Sequence, residues 1–322
     1  MFKRIFVVGF AIFMLFSFLA SFVQAETKFL RMFSGPEGGS WYPLGSAMMS
    51  IIEKEMGISS SNGPGGGVGN CKAVNAGRAD FGWTYTHTAY NAYNGRGKFD
   101  KKNPNLRHLM SLYPGVFQMA VPKSSKIFSV KDLADKRIVP GKVGFSGTVI
   151  AENVLAAYGL TFDSIKKNGG LVSYVGYSDS AALMKDGHSD CYMAVTSCPQ
   201  STMIDLMFRP GIRFLSVDKA HMDKIKEIDP GLMGTIIPKG SYKGLDQDVP
   251  TVGTVTCLVT SKDVPDDVVY KAVKTLYANW PALAEVKKQA IEDSKPEKAT
   301  MGAGIPVHAG ALKYYKEMGY VN

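Results

Sequence analysis

From Lys28 onward, short apolar runs alternate along the chain with longer stretches whose apolar residues recur at helical spacing. That alternation predicts α/β architecture with largely parallel sheets, because a buried parallel strand is followed by a crossover helix. Strands are expected over 29–33, 58–61 and 81–84, each feeding a helix, over 43–56, 71–76 and 86–93. These make one α/β unit. A change comes after Tyr113-Pro114-Gly115, where an exit strand over 116–121 leads to a short helix capped by Ser129 and running through Leu133. Strands over 137–140, 171–175 and 192–196 then alternate with helices over 147–158 and 180–185, which end at Gly159 and Gly187.

This second unit closes near Ile237 and Pro238. A long β-rich run over 251–260 carries the chain back to the first unit, on which helices over 265–277, 281–291 and 309–318 are expected to pack. The pattern therefore predicts two lobes, 26–115 with 241–322 and 116–240, crossed by two linkers near 115–121 and 240–255. A double linker of this kind bends but resists sliding, which makes a hinge. No internal repeat or low-complexity segment is visible.

The N-terminus changes the picture of compartment. Lys3 and Arg4 precede an apolar run over 5–20 and the small residues Val23 and Ala25, the pattern of a secretory signal peptide over 1–25, cleaved after Ala25. The run is shorter than a membrane span requires, and no cysteine stands at the cut for lipid attachment. The mature protein is expected to be periplasmic, free and monomeric. Taking 25 from 322 leaves 297 residues, a comfortable length for two domains.

The chain carries 37 basic and 28 acidic residues, a surplus of +9 that falls to +7 without Lys3 and Arg4. The basic residues are scattered, with no run interleaved with aromatics, so nucleic acid is not expected as a partner. Cys71, Cys191, Cys198 and Cys257 are too few and too spread for a disulfide scaffold. The nearest two, Cys191 and Cys198, are separated by a strand that would hold them roughly 20 Å apart, far beyond bridging distance. Free, buried thiols are expected. A zinc site wants close Cys/His pairs repeated along the chain, and the five histidines are spread at 87, 108, 188, 221 and 308, so no metal site is expected.

Glycines and hydroxyl residues gather at six turns where strands end and helices begin: 35–42, 63–70, 84–88, 144–148, 177–180 and 196–199. In open parallel sheets such turns line the ligand crevice. Each also exposes the unpaired N–H groups and the positive dipole end of a helix, which favours a carboxylate without a dedicated lysine or arginine. Ser40, Thr84, Ser146 and Thr148 are candidate hydrogen-bond donors, and Trp41, Tyr42 and Tyr85 candidate apolar walls. The same residues also serve as ordinary caps and turn formers. His87 suits capping, core packing or ligand contact, and Trp83 suits the core.

Catalysis is not expected. Gly144-Phe145-Ser146-Gly147-Thr148 resembles a nucleophile elbow but ends in Thr148 rather than glycine, and the late His308 opens a helix on the other lobe. The glycine run over 63–69 fits neither G-x-G-x-x-G nor a P-loop, so no nucleotide cofactor is indicated.

Gly35-Pro36-Glu37-Gly38-Gly39-Ser40-Trp41-Tyr42-Pro43-Leu44-Gly45 resembles the opening motif of the TAXI family, solute-binding components of tripartite ATP-independent periplasmic (TRAP) transporters. Gly65-Gly66-Gly67-Val68-Gly69-Asn70 is similar to that family's second glycine loop, and Asn75-Ala76-Gly77-Arg78-Ala79-Asp80-Phe81-Gly82 to the strand after it. Phe128-Ser129-Val130-Lys131-Asp132-Leu133, Phe145-Ser146-Gly147-Thr148, Lys185-Asp186-Gly187-His188-Ser189-Asp190 and the segment from His308 to Glu317 agree in order and spacing. The resemblance implies a periplasmic binding protein type II fold, two α/β lobes joined by a two-strand hinge around the ligand cleft. It implies capture of a small organic anion (an amino acid, dicarboxylate or oxo acid) and delivery to TRAP membrane permease subunits. His87, Tyr85, Phe145 and Cys198 depart from the family's usual residues at cleft turns.

The resulting expectation puts Ser40, Trp41, Tyr42, Gly67, Asn70, Thr84, Tyr85 and His87 on one wall of the cleft. Ser146, Gly147, Thr148, Ser178 and Thr196 stand on the other. The ligand closes the hinge because only the closed state satisfies both sets of donors. Alternatives are the binding subunit of an ABC importer, the ligand-sensing input of a histidine kinase, and a secreted serine hydrolase.

Overall fold

The computed structural model describes Thr27 and residues 29–321. The signal peptide read from the sequence lies outside the described residues. Strand β1 (Phe29–Phe33) leads into helix α1 (Trp41–Met56), which buries Trp41, Leu44, Met48, Met49 and Ile52 on one face and stops at Gly57, whose φ of 68° is the left-handed turn that glycine permits. Strand β2 (Ser59–Gly63), helix α2 (Gly67–Asn75), strand β3 (Phe81–Tyr85) and helix α3 (Thr86–Asn94) follow. β1 pairs in parallel with both β2 and β3. β3 lies inside the sheet between β1 and β10, and all five of its residues are buried.

Next comes β4, a single strand over Leu106–Pro122. The sequence reading broke the chain at Tyr113-Pro114-Gly115; the strand instead continues through them. Pro114 lacks an N–H to give the ladder, and the pairing accommodates it with a register shift between Val255 and Cys257 on the facing strand. Gly115 is there for space: a Cβ would stand 2.4 Å from the Tyr85 ring, which lies against the strand at that point.

The second parallel set consists of β5 (Arg137–Val139), β6 (Leu171–Val172) and β7 (Cys191–Thr196), with helices α4 (Ser146–Ala157), α5 (Phe162–Lys167) and α6 (Tyr177–Lys185). Helix α7 (Ser201–Phe208), strand β8 (Ile212–Phe214), helix α8 (Lys219–Ile228) and strand β9 (Met233–Ile237) fill a region that the pattern left unassigned. Strand β10 (Val249–Ser261) then runs antiparallel to β3, β4 and β9. Helix α9 (Asp266–Ala278) is followed by α10 (Trp280–Val286), α11 (Lys288–Glu292) and α12 (Ala309–Glu317). The helix expected over 281–291 is thus two, broken at Lys287, whose φ of −152° is extended rather than helical.

The ten strands form one sheet in the order β2-β1-β3-β10-β4-β7-β5-β6, with β8 on β4 and β9 on β10. Two parallel sets are therefore separated by the antiparallel pair β10–β4, and each set is braced alike. Asp80, just before β3, accepts from the Arg31 backbone N–H (2.8 Å) and Nε (3.2 Å), while Arg31 Nη2 reaches Gly77 O. Asp190, just before β7, accepts from the Arg137 backbone N–H (2.9 Å), Nε (3.0 Å) and Nη2 (2.6 Å), while Arg137 Nη1 reaches Gly187 O. The same helix–glycine–aspartate–strand device thus appears twice, although no repeat is visible in the sequence. All four cysteines are free, and Cys71, Cys191 and Cys257 are buried. No helix among the described residues is long and apolar enough to cross a membrane.

Candidate functional site

All six glycine- and hydroxyl-rich turns meet at one cavity. Its lining includes Pro36, Gly39, Ser40 and Trp41 from the first turn, Gly66 and Gly67 from the second, and Tyr85 from the third. Phe145, Ser146 and Gly147 come from the fourth, Tyr177 from the fifth, and Thr196 with Val195 from the sixth. The starts of α1, α2, α4 and α6 therefore converge on it, bringing the first-turn N–H groups that have no partner within their own helix. The lining carries no charged side chain; Glu37, Lys142 and Asp179 stand in an adjoining groove that shares Pro36, Gly66, Phe145 and Tyr177.

The cavity is tight. About 20 Å³ is open to the centre of a water molecule, room for one or two waters. Contacts between the two parallel sets account for this. Tyr85 donates its hydroxyl to Val195 O at 2.9 Å, and Ser40 Oγ lies 3.4 Å from Thr196 Oγ1. The backbone N–H groups of Val68 and Gly69 both donate to Gly144 O. That carbonyl already occupies two of the donors at the start of α2, so the helix ends are not equally free. Gly66 and Gly67 permit the approach: a Cβ on Gly66 would meet Phe145 Cδ1 at 2.4 Å, and one on Gly67 would meet Ser146 Oγ at 2.2 Å. A surface hollow of about 890 Å³ beside Met56 and Lys271 gathers none of the six turns.

An aromatic column backs the cavity, with ring centroids of Trp41 and Tyr85 4.7 Å apart and those of Tyr85 and His87 6.0 Å apart. Burial pushes the hydroxyls of Tyr85, Tyr113 and Tyr177 well above the usual tyrosine range, so all three remain protonated donors. Tyr177 donates to Val195 O at 3.1 Å, and Tyr113 shares a 2.8 Å hydrogen bond with Ser40 Oγ. The Trp41 indole N–H, close to the Tyr113 hydroxyl, has no well-formed hydrogen bond.

Of the residues read as wall-forming, Ser40, Trp41, Gly67, Tyr85, Ser146, Gly147 and Thr196 line this cavity. Others do not. Asn70 is consumed by backbone: its Nδ2 donates to Ser34 O and Trp83 O, both at 2.7 Å, and its Oδ1 accepts from Gly66 N. Thr84 donates to Gly67 O, and Thr148 to Lys142 O and Pro140 O. Tyr42 is half-buried on α1 outside the lining, and Ser178 is exposed in the adjoining groove. His87 is buried with both ring nitrogens engaged, and with Tyr90, Pro114, Met233 and Met301 it borders a separate hollow of about 490 Å³. Burial lowers its pKa to about 4, against an opposing pull from Asp229. Phe145 and Tyr177 went unselected in the sequence, although both stand within the glycine-rich turns.

The sequence profile of the NMT1-like family matches residues 32–319. Among solved structures, the chain is similar to one described as a periplasmic transporter, at 16% identity and a TM-score of 0.51 over 92% of this chain and 94% of that one. It is similar to a putative L-cystine ABC transporter from Listeria monocytogenes, at 14% identity and a TM-score of 0.50 over 83% and 98%. A third is XAC2383 from Xanthomonas citri bound to chloride ion, at 13% identity and a TM-score of 0.50 over 90% and 96%. At these identities the likeness is one of fold: a mixed α/β fold with a central sheet, matching periplasmic binding protein type II-like structures.

Proposed function

Because this chain belongs to the NMT1-like family and has this fold, we propose that it is the solute-binding component of a membrane importer. It captures a small organic anion outside the cytoplasm by closing 26–115 with 241–322 onto 116–240. The observation that carries the reading is the convergence of four helix starts, from two parallel sets of strands, on one cavity without a charged side chain. Such a site stabilises an anion by aligned N–H dipoles and hydroxyls. The reading assigns no chemistry to the chain: Ser146 has no imidazole beside it, since His87 reaches it only through Thr88.

An ABC-type importer is the reading supported by the fold neighbours, one of which is described as an ABC transporter. A TRAP permease is the second reading, favoured by the glycine motifs over 35–45 and 65–70. Uptake into energised vesicles from cells bearing the importer separates the two: dependence on ATP favours the first, dependence on an ion gradient alone the second. Solute binding itself is tested with amino acids, dicarboxylates, oxo acids, sulfonates and sugars, by melting temperature and solution scattering. A bound solute at about a hundred times its Kd adds roughly 2.7 kcal/mol of stability, a rise of several degrees. A panel that shifts neither the melting temperature nor the radius of gyration refutes the proposal.

A further inference from the structure

Behind Ser146 runs a chain of buried side chains that begins on β10. His87 Nδ1 lies 2.9 Å from Thr254 Oγ1, and His87 Nε2 lies 3.0 Å from Thr88 Oγ1. The Thr88 hydroxyl donates to Ser146 Oγ at 2.9 Å. Thr254, His87, Thr88 and Ser146 are each at most 3% exposed, so the four bond chiefly to one another. Thr88 has one proton, and it is committed to Ser146. Its oxygen therefore accepts from His87, which places the imidazole proton on Nε2. The bare Nδ1 then accepts from the Thr254 hydroxyl. Burial keeps the ring neutral near pH 7.

Every bond in the chain thus points the same way, from Thr254 to Ser146. Ser146, which accepts the hydrogen bond from Thr88, keeps its own proton free, and of the four residues it alone lines the cavity. We infer that Thr254, His87 and Thr88 hold Ser146 as a standing hydrogen-bond donor, so that the solute presents an oxygen acceptor to its remaining proton: a carboxylate, sulfonate or carbonyl in preference to an ammonium or guanidinium. This rests on the solute-binding reading and sharpens it. His87 and Thr88 are positioning residues, and neither touches the solute.

Nitrogen NMR of histidine-labelled mature chain at pH 7 tests the first half without any solute. The expected spectrum of His87 has a protonated Nε2 and an unprotonated Nδ1; a protonated Nδ1 overturns the inference. Acetate and guanidinium, titrated separately while the Ser146 amide is followed, test the second half. Acetate is expected to shift that signal and guanidinium to leave it; a response to guanidinium, or to neither probe, overturns the inference. Thr88→Val should weaken the acetate response by roughly three- to tenfold, the effect of one lost hydrogen bond, and Thr88→Ser should restore it. Equal responses from wild type and Thr88→Val remove His87 and Thr88 from the account. A wrong tautomer alongside compounds that still raise the melting temperature ends the directed chain and leaves solute binding standing. The right tautomer with a silent panel ends the solute-binding reading, and the claim about the solute with it.

Discussion

Gly67→Ala is the sharpest perturbation of the proposed closure. The added Cβ would lie 2.2 Å from Ser146 Oγ and 2.9 Å from Thr84 Oγ1, whereas ordinary contact begins near 3.4 Å, so the two walls must part by about 1 Å. Neither hydroxyl can swing aside freely, because Thr84 donates to Gly67 O and Ser146 accepts from Thr88. The backbone at Gly67 is not left-handed, and alanine is the better helix former at the start of α2, by about 0.5–1 kcal/mol. The fold itself should therefore tolerate the change. Overpacking of this kind costs about 1–3 kcal/mol; the approach to Thr84 lies within one wall and is met in either state, whereas the closer clash with Ser146 falls on the closed arrangement alone and lowers the closed-to-open ratio by up to roughly 5- to 150-fold. Scattering should report a larger radius of gyration, and the affinity of whichever panel compound binds wild type should fall by the same factor. The urea midpoint without solute should hold steady or rise slightly. Wild-type affinity together with an unchanged radius of gyration would refute the reasoning.

Acid should destabilise the chain well above the carboxylate range. Burial lowers His87 and His108 to about 4 from an ordinary 6.5; both are neutral when folded and take a proton when unfolded. Their contribution is full above pH 6.5 and is lost as pH falls toward 4, on the order of 3 kcal/mol for each ring. Urea midpoints that match at pH 7 and pH 5 would contradict this. The thiols should be inert in the native state: burial raises Cys71 to about 12 and pushes Cys191 and Cys257 up as well. A chromogenic disulfide reagent should label only the partly exposed Cys198, slowly, and all four cysteines once guanidinium unfolds the chain. Rapid native labelling of more than one would show that the core opens.

The α/β class was legible because strand and helix periods alternate cleanly, and strand 29–33 and helix 86–93 coincide with observed elements to within a residue. The misreadings have local causes. Pro114 and Gly115 carry a strong turn signal, yet the Tyr85 ring needs the missing Cβ there and β10 absorbs the missing N–H, so tertiary packing overrides the turn. The region over 197–237 has short elements without a long apolar period, and it stayed blank. The convergence of the six turns was readable from glycine and hydroxyl positions. Which side chains face inward was not, because Asn70, Thr84 and Thr148 are claimed by backbone carbonyls that only folding brings beside them. The duplicated brace leaves little trace in the sequence beyond Gly77 with Asp80 and Gly187 with Asp190.

Those two Arg–Asp braces sit where the strands start, at the opposite end of the sheet from the cavity. The base of each half is thereby locked by charge and backbone, while the rim is built from turns. A descendant sequence can rewrite the rim and acquire a new cargo without loosening the foundation, and a protein engineer altering selectivity has the same freedom.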